Sequence, residues 1–353
     1  MSDPRPLAPP ALTGLDDLAE AGLIARDRLP ALAPVAREFR IRVTPAMRAA
    51  IATPDDPVAA QFLPSEAEAE TRPEELLDPI GDAAHAPVPG LTHRYPDRVI
   101  LHLTKTCDVY CRFCFRRESV GDTGALPAAD LVAALDYIAA TPTIREVILT
   151  GGDPLTLSAR RIAMVIGRLS QIAHLDQIRI HTRVPVVAPE RITPALIAAL
   201  RVARPALWVV LHTNHAQELT PEARVAISAL VDAGVPMLSQ SVLLRGINDT
   251  PEALSDLFRA LGALRVKPYY LHHCDLARGT HHFRTTIDAG RSLMAALRGR
   301  VSGVLLPTYV LDIPGGYGKV PISAEYFTPL GPGQWRVTDW QGGTHLYQDP
   351  DSR

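Results

Sequence analysis

Lysine is almost missing from this chain of 353 residues: of its 36 basic side chains only Lys105, Lys267 and Lys319 are lysines. Drift toward arginine is tolerated wherever only charge matters, so the survivors draw interest, because a guanidinium cannot form an imine. Neither sign of charge dominates either. A net charge near −2 offers no broad basic field to a nucleic acid or an anionic membrane surface, and neither is expected as a partner. No run of about 18 apolar residues occurs, so no transmembrane helix is expected. The opening MSDPRPLAPPALTGL has no basic stretch followed by an apolar one, and no secretory leader is read there. Cysteine is scarce, with four in the whole chain, which argues against a disulfide framework and fits a reducing, cytoplasmic setting. What the chain has is aliphatic bulk. At 47% hydrophobic residues it can fill a large core, and its length suits one α/β barrel with an extension.

Three of the four cysteines stand together, Cys107, Cys111 and Cys114, as C-x3-C-x2-C in TKTCDVYCRFCFRR, just after the apolar run Val99–Leu103. Three thiolates on a short loop can hold three irons of a 4Fe–4S cluster and leave the fourth iron open. Closed electron-transfer clusters use four protein ligands. An open iron suits binding and reducing a second molecule, and the spacing resembles the signature of radical S-adenosylmethionine enzymes. A structural zinc site would need a fourth Cys or His at short spacing, and the residues that follow supply none. Cys274, far downstream beside an acidic residue, reads as a packed thiol.

Residues 1 to about 90 are rich in Ala and Pro, with helical stretches at Leu15–Leu29 and Pro45–Ile51 and breaks at Pro54–Pro57 and Pro87–Gly90. From Arg98 onward, apolar runs alternate with amphipathic helices. The expected strands are Val99–Leu103, Glu146–Thr150, Ile178–His181, Leu207–His212, Pro236–Val242 and Lys267–His272, with a seventh apolar run at Gly303–Val310. Ile162, Val165, Ile166, Leu169 and Ile172 mark one helical face, and Leu254, Leu257, Phe258 and Leu261 another. Three helices open with Thr-Pro, at Thr193, Thr220 and Thr250: the threonine caps free amides, and the proline sits where its missing N–H costs nothing. Gly234 marks a helix end. Six successive strand–helix units imply parallel strands with right-handed crossovers. The expected fold is therefore α/β, a partial (β/α)6 TIM-like barrel over residues 91–300. A helical extension precedes it over 1–90 and a short C-terminal segment follows over 301–353. A doubly wound open sheet is the alternative, and the position of the cysteine loop after the first strand favours the barrel.

Strand two ends in Thr150-Gly151-Gly152-Asp153-Pro154. Paired glycines let backbone approach a ligand closely, and Asp153 suits an amine or hydroxyl. Near the end, Leu311-Asp312-Ile313-Pro314-Gly315-Gly316-Tyr317-Gly318-Lys319 makes a tight glycine-rich loop delivering one of three lysines. The bland alternative is a flexible surface turn. The chemical one is an imine-forming lysine, whose natural partner is pyridoxal 5′-phosphate.

Together these blocks resemble the lysine 2,3-aminomutases from about residue 40 to residue 330. The shared segments are VPGLTHRYPDR, the cysteine loop, TGGDPL, SQSVLLRGIND, PYYLHHCDLARGTHHFRT and PGGYGKVP. The resemblance implies a radical S-adenosylmethionine isomerase in which Cys107, Cys111 and Cys114 hold the cluster and Lys319 carries pyridoxal phosphate as a Schiff base. It implies that Gly151, Gly152, Asp153 and Gln240 contact S-adenosylmethionine, that Arg98 helps hold the pyridoxal cofactor, and that Arg116 grips the substrate α-carboxylate. Asp275 and Asp312 match the two aspartates that clamp the distal ammonium in lysine-specific members, and paired carboxylates are what a buried cation requires. The implied reaction moves the α-amino group of L-lysine to C3, giving β-lysine. A flavodoxin- or ferredoxin-type donor would reduce the cluster.

Some positions depart from the pattern. No cysteine follows Cys274, and Thr250 replaces a further zinc ligand, so a zinc-bridged assembly is not expected, although a homo-oligomer remains open. His272 stands where a tyrosine is usual. The short tail and the YYLHH block resemble the branch that supplies (R)-β-lysine for modifying elongation factor P, which stands as an alternative function. A non-enzymatic iron–sulfur sensor is a third.

Overall fold

A computed structural model describes residues 10–121 and 124–350; residues 1–9, part of the stretch examined for a leader, lie outside them. Nine strands form one sheet in sequential order. They are β1 (Leu91–Tyr95), β2 (Arg98–Thr104), β3 (Glu146–Gly151), β4 (Gln177–Thr182), β5 (Ala206–His212), β6 (Met237–Leu243), β7 (Lys267–His273), β8 (Thr308–Ile313) and β9 (Gly318–Pro321). β2 to β8 run parallel, while β1 and β9 are antiparallel edges. This is the α/β partial barrel: six βα units, β2 to β7, closed further by β8. The edges do not pair in register. Instead the Lys319 N–H donates to the Tyr95 hydroxyl at 2.8 Å, and the Gly315 N–H donates to the Pro79 carbonyl at 3.1 Å. A separate three-stranded antiparallel sheet, β10 (Phe327–Gly331), β11 (Gln334–Thr338) and β12 (Thr344–Gln348), ends the described chain.

All six expected barrel strands form, each with ends shifted by a residue or so. The outward sides of the barrel strands pack on helices whose buried faces follow the apolar periodicity: Ile162, Val165, Ile166 and Leu169 on one, Leu254, Leu257, Phe258 and Leu261 on another. Burying a Leu or Ile side chain contributes roughly 1.5–3 kcal/mol, so such stripes fix which side of each helix faces the sheet. The three Thr-Pro starts are caps, with Thr193, Thr220 and Thr250 accepting from the amides of Leu196, Ala223 and Ala253. Gly234 ends its helix in the left-handed region, at φ +82°.

Three expectations change. Leu15–Leu29 is not one helix: it stops after Glu20, Gly22 turns at φ +73°, and a new helix runs Leu29–Glu38. Gly303–Val310 is not one strand either. Gly303–Leu305 is a 3-10 turn, Pro307 follows with no N–H to give a ladder, and β8 begins at Thr308. The lysine is not delivered by a free loop: β8 and β9 form a hairpin in which Asp312 and Lys319 are direct cross-strand partners. No helix among the described residues is long and apolar enough to cross a membrane.

Candidate active site

Inside the curl of the sheet lies a cavity of about 710 Å³. Because strand side chains alternate between faces, its wall is every second residue of the barrel strands, for example Ile148 and Thr150, Arg179 and His181, Trp208 and His212. All twelve sequence-predicted residues line this one space: Cys107, Cys111, Cys114, Gly151, Gly152, Asp153, Gln240, Arg98, Arg116, Asp275, Asp312 and Lys319.

The cysteine loop follows β2 and is clamped by the N-terminal extension. The Tyr110 and Arg112 amides donate to the carbonyls of Arg42 and Gln61, at 3.2 and 2.8 Å. Glu68, wholly buried, accepts from both Arg112, which lies between the last two cysteines, and Arg117, three residues after Cys114. Burial raises the Glu68 carboxyl, but the two guanidiniums outweigh it and hold it below its ordinary range. Burial pushes the Cys107 thiol well up and Cys114 up to about 11. A coordinated thiol is deprotonated outright, and one cation is already in place: Arg183 Nη1 donates to Cys111 Sγ at 2.8 Å. Among the described residues no three His, Cys, Asp or Glu side chains converge closely enough for a single ion. A cluster spreads its thiolates over separate irons, so the three cysteines lining this cavity fit it without having to converge on one ion.

The glycine pair turns out to serve the loop as well as the cavity. Gly151 lies at φ +113°, where a Cβ would come within 2.5 Å of the Thr104 carbonyl oxygen, and a Cβ on Gly152 would collide with the Thr106 carbonyl. The Gly152 and Asp153 amides donate to the carbonyls of Thr104 and Thr106, at 2.6 and 2.9 Å. With those N–H groups committed, this turn can offer a ligand only acceptors, which suits an ammonium. Asp153 is tied in too. It accepts from the Leu155 amide at 3.0 Å, the Thr182 hydroxyl at 2.7 Å and the Arg183 amide at 2.6 Å. Burial nevertheless raises its carboxyl to about 6.

At the other side, Lys319 Nζ donates to Asp312 Oδ1, and His272 Nδ1 lies 3.1 Å from the second oxygen. Burial pushes Asp312 up, but the His272 hydrogen bond and the Lys319 ammonium outweigh it and hold the carboxyl at about 2. Asp275 goes the other way: burial, reinforced by the Asp312 charge, raises it to about 7. Arg116 donates through Nε to Asp82 at 2.8 Å, leaving its other N–H groups for a ligand, and Asp82 is also paired with Arg94 at 3.1 Å. Arg98 lies over the Tyr95 ring at 3.9 Å and donates to Asp97 at 2.7 Å. Cys274 is buried among Phe113, Leu244, Ile247 and Phe283 and is a packed thiol, as expected.

Residues not singled out from sequence complete the wall. His181 and His212 are half-buried in the cavity wall, and their Nε2 atoms, which are buried, lack a partner. Burial drives both well below the ordinary imidazole range, so both are neutral. Buried polar atoms without partners are rare, and two facing one cavity are cradle for a polar ligand. Tyr95, Asp82, Arg94 and Arg183 were likewise missed. The signal available was the polar residue at alternate positions of an apolar strand, as in Arg179-Ile180-His181.

Comparison with known proteins adds the following. A family model described as the Radical SAM superfamily matches residues 101–258, and one described as Lysine-2,3-aminomutase matches residues 294–353. The chain is 40% identical to an L-lysine 2,3-aminomutase of Fusobacterium nucleatum, over 97% of this chain and 81% of that one. It is 41% identical to an L-lysine 2,3-aminomutase of Acetoanaerobium sticklandii, over 89% and 76%. It is also 34% identical to a glutamate 2,3-aminomutase of Clostridioides difficile, over 96% and 80%.

Proposed function

Because the chain belongs to the lysine 2,3-aminomutase family of radical S-adenosylmethionine enzymes, we propose that this isomerase moves the α-amino group of L-lysine to C3, giving β-lysine. The observation that carries the choice of substrate is the pair of carboxylates, Asp275 and Asp312, set in the cavity wall beside Lys319. A distal ammonium would neutralise them. The side-chain carboxylate of glutamate would add a third negative charge to a site that already holds one carboxyl near 7 by repulsion and burial.

Cys107, Cys111 and Cys114 hold the 4Fe–4S cluster at the loop after β2. The turn at Gly151 and Gly152 would offer acceptors to the amino group of S-adenosylmethionine, and Gln240 and His212, in the same cavity wall, would contact its adenosyl part. Lys319 would hold pyridoxal phosphate with help from Arg98, and Arg116, steadied by Asp82, would bind the substrate α-carboxylate. Together the cofactors supply a carbon radical and an electron-delocalising ring through which nitrogen can migrate. The protein supplies enclosure: the Tyr95–Lys319 bond and the Pro79–Gly315 contact bridge the seam of the barrel, keeping water from the reacting atoms.

The test is anaerobic incubation of the reduced enzyme with L-lysine or L-glutamate. β-Lysine from the first and negligible β-glutamate from the second is the expected result. Conversion of glutamate alone would overturn the assignment. The handedness of the product addresses use: an R product suits elongation factor P modification, an S product β-lysine metabolism.

A further inference from the structure

Arg183 directly follows β4 and has no role in the function proposed above, yet it is among the most constrained side chains in the molecule. It is buried, at 6% exposure. Nη1 donates to Cys111 Sγ at 2.8 Å, and Nη2 donates to Glu218 Oε2 and to Gln61 Oε1, each at 2.6 Å. Phe62 and Phe113 lie against the guanidinium at 4.6 and 5.5 Å. The anchors are themselves fixed. Gln61 Nε2 donates to Glu218 Oε1 at 3.0 Å, and the same oxygen accepts from the Asn214 and His215 amides at 2.9 Å. The guanidinium therefore cannot swing off the sulfur without abandoning a buried carboxylate.

We propose that Arg183 is a positioning residue for electron entry: through its N–H to Cys111 sulfur bond it stabilises the reduced cluster, with Glu218 setting how strongly. Reduction takes one electron from the donor and places it on a cluster already surrounded by thiolates, so negative charge grows next to the sulfurs. Hydrogen bonds to those sulfurs and the local net charge are the terms by which a protein sets cluster potential. A guanidinium fixed against one sulfur favours the more negative state. Glu218, on the guanidinium's far side, offsets part of that effect. The pair predicts opposite signs for its two halves, which loss of packing would not produce.

The experiment is an EPR-monitored redox titration of the full-length, anaerobically reconstituted protein without S-adenosylmethionine, alongside iron and sulfide content. Arg183→Gln should lower the midpoint potential by about 60 mV or more, a roughly tenfold shift of a one-electron couple. Glu218→Gln should raise it. Full iron with an unchanged potential in Arg183→Gln overturns the proposal, as do shifts of the same sign in both variants. Should Arg183→Gln fail to hold iron, Glu218→Gln decides alone: a potential that does not rise refutes the role. Neither result depends on which amino acid is the substrate.

Discussion

Asp275 should make substrate binding depend on pH in a way that its partner Asp312 does not. Burial and the neighbouring Asp312 charge raise Asp275 from 3.8 to about 7, whereas Asp312 is held at about 2. The difference between folded and free values, close to three pH units, corresponds to roughly 4 kcal/mol at ~1.36 kcal/mol per unit. That is the cost of keeping this carboxylate ionised without a second cation. In the ligand-free protein the protonated form therefore favours the native state below about pH 4, and this stabilisation is lost as the pH rises through about 7. A lysine ammonium needs the ionised form, so binding at pH 6 must expel a proton, and at pH 8.5 it need not. Titration calorimetry of the pyridoxal-loaded enzyme, without S-adenosylmethionine and in buffers of different ionisation heat, counts that proton. The expected wild-type result is about one more proton released at pH 6 than at pH 8.5, with affinity rising through pH 7. Asp275→Asn should remove this difference and weaken binding above pH 8 by about 10- to 150-fold, the equivalent of a charged hydrogen bond worth ~1.5–3 kcal/mol. Equal proton release by the variant and the wild type would refute the reasoning.

Three further outcomes follow from contacts already described. Lys319→Ala should abolish the imine absorbance at the edge of the visible range on adding pyridoxal phosphate while leaving iron content intact; an unchanged band sinks the assignment. Gly152→Ala places a methyl group against the Thr106 carbonyl, so the loop must shift, and iron bound per chain after reconstitution should fall well below the wild-type value. Glu68→Gln leaves Arg112 and Arg117 buried with one neutral partner, and breaking such a pair costs about 3–5 kcal/mol; chemical denaturation of the cluster-free protein should show a loss of this order.

The parts of the fold legible in the sequence were those governed by neighbours in the chain. Thr220 caps the amide three residues on, and Ile162, Val165, Ile166 and Leu169 share a face because a helix repeats every 3.6 residues. The cysteine loop and the scarcity of lysine were legible for a chemical reason, that few other residues can do those jobs. What escaped was set by distant partners. Nothing near Glu68 announces Arg112 and Arg117, more than forty residues away. Nothing near Tyr95 announces Lys319, 224 residues on. β1 was not among the expected strands, because Thr-His-Arg-Tyr lacks an apolar alternation. β10 and β12 are exposed along their length, so no buried face imprinted a period of two on them. The glycine pair was noticed for the right place, but the requirement for glycine comes from the carbonyls of the neighbouring loop.

The curl of the sheet joins the two halves of the chemistry. The cysteine loop leaves β2 and the lysine hairpin begins at β8, six strand intervals apart in sequential order. In a flat sheet, at about 4.8 Å per interval, those strands would stand roughly 29 Å from each other, beyond the reach of a radical to a substrate held by Lys319. The doubly wound alternative would thus leave each motif intact and the pair useless. Curvature brings both onto one cavity of about 710 Å³, and the hydrogen bond from the Lys319 N–H to Tyr95 ties the far hairpin to β1, the edge strand paired with β2, from which the cysteine loop leaves. The glycine at 318 fits this account, since its φ of +97° and the close Tyr95 hydroxyl leave no room for a side chain just before the lysine. The seam that keeps the barrel from closing in register is therefore where the hairpin carrying Lys319 meets the strands that lead into the cysteine loop.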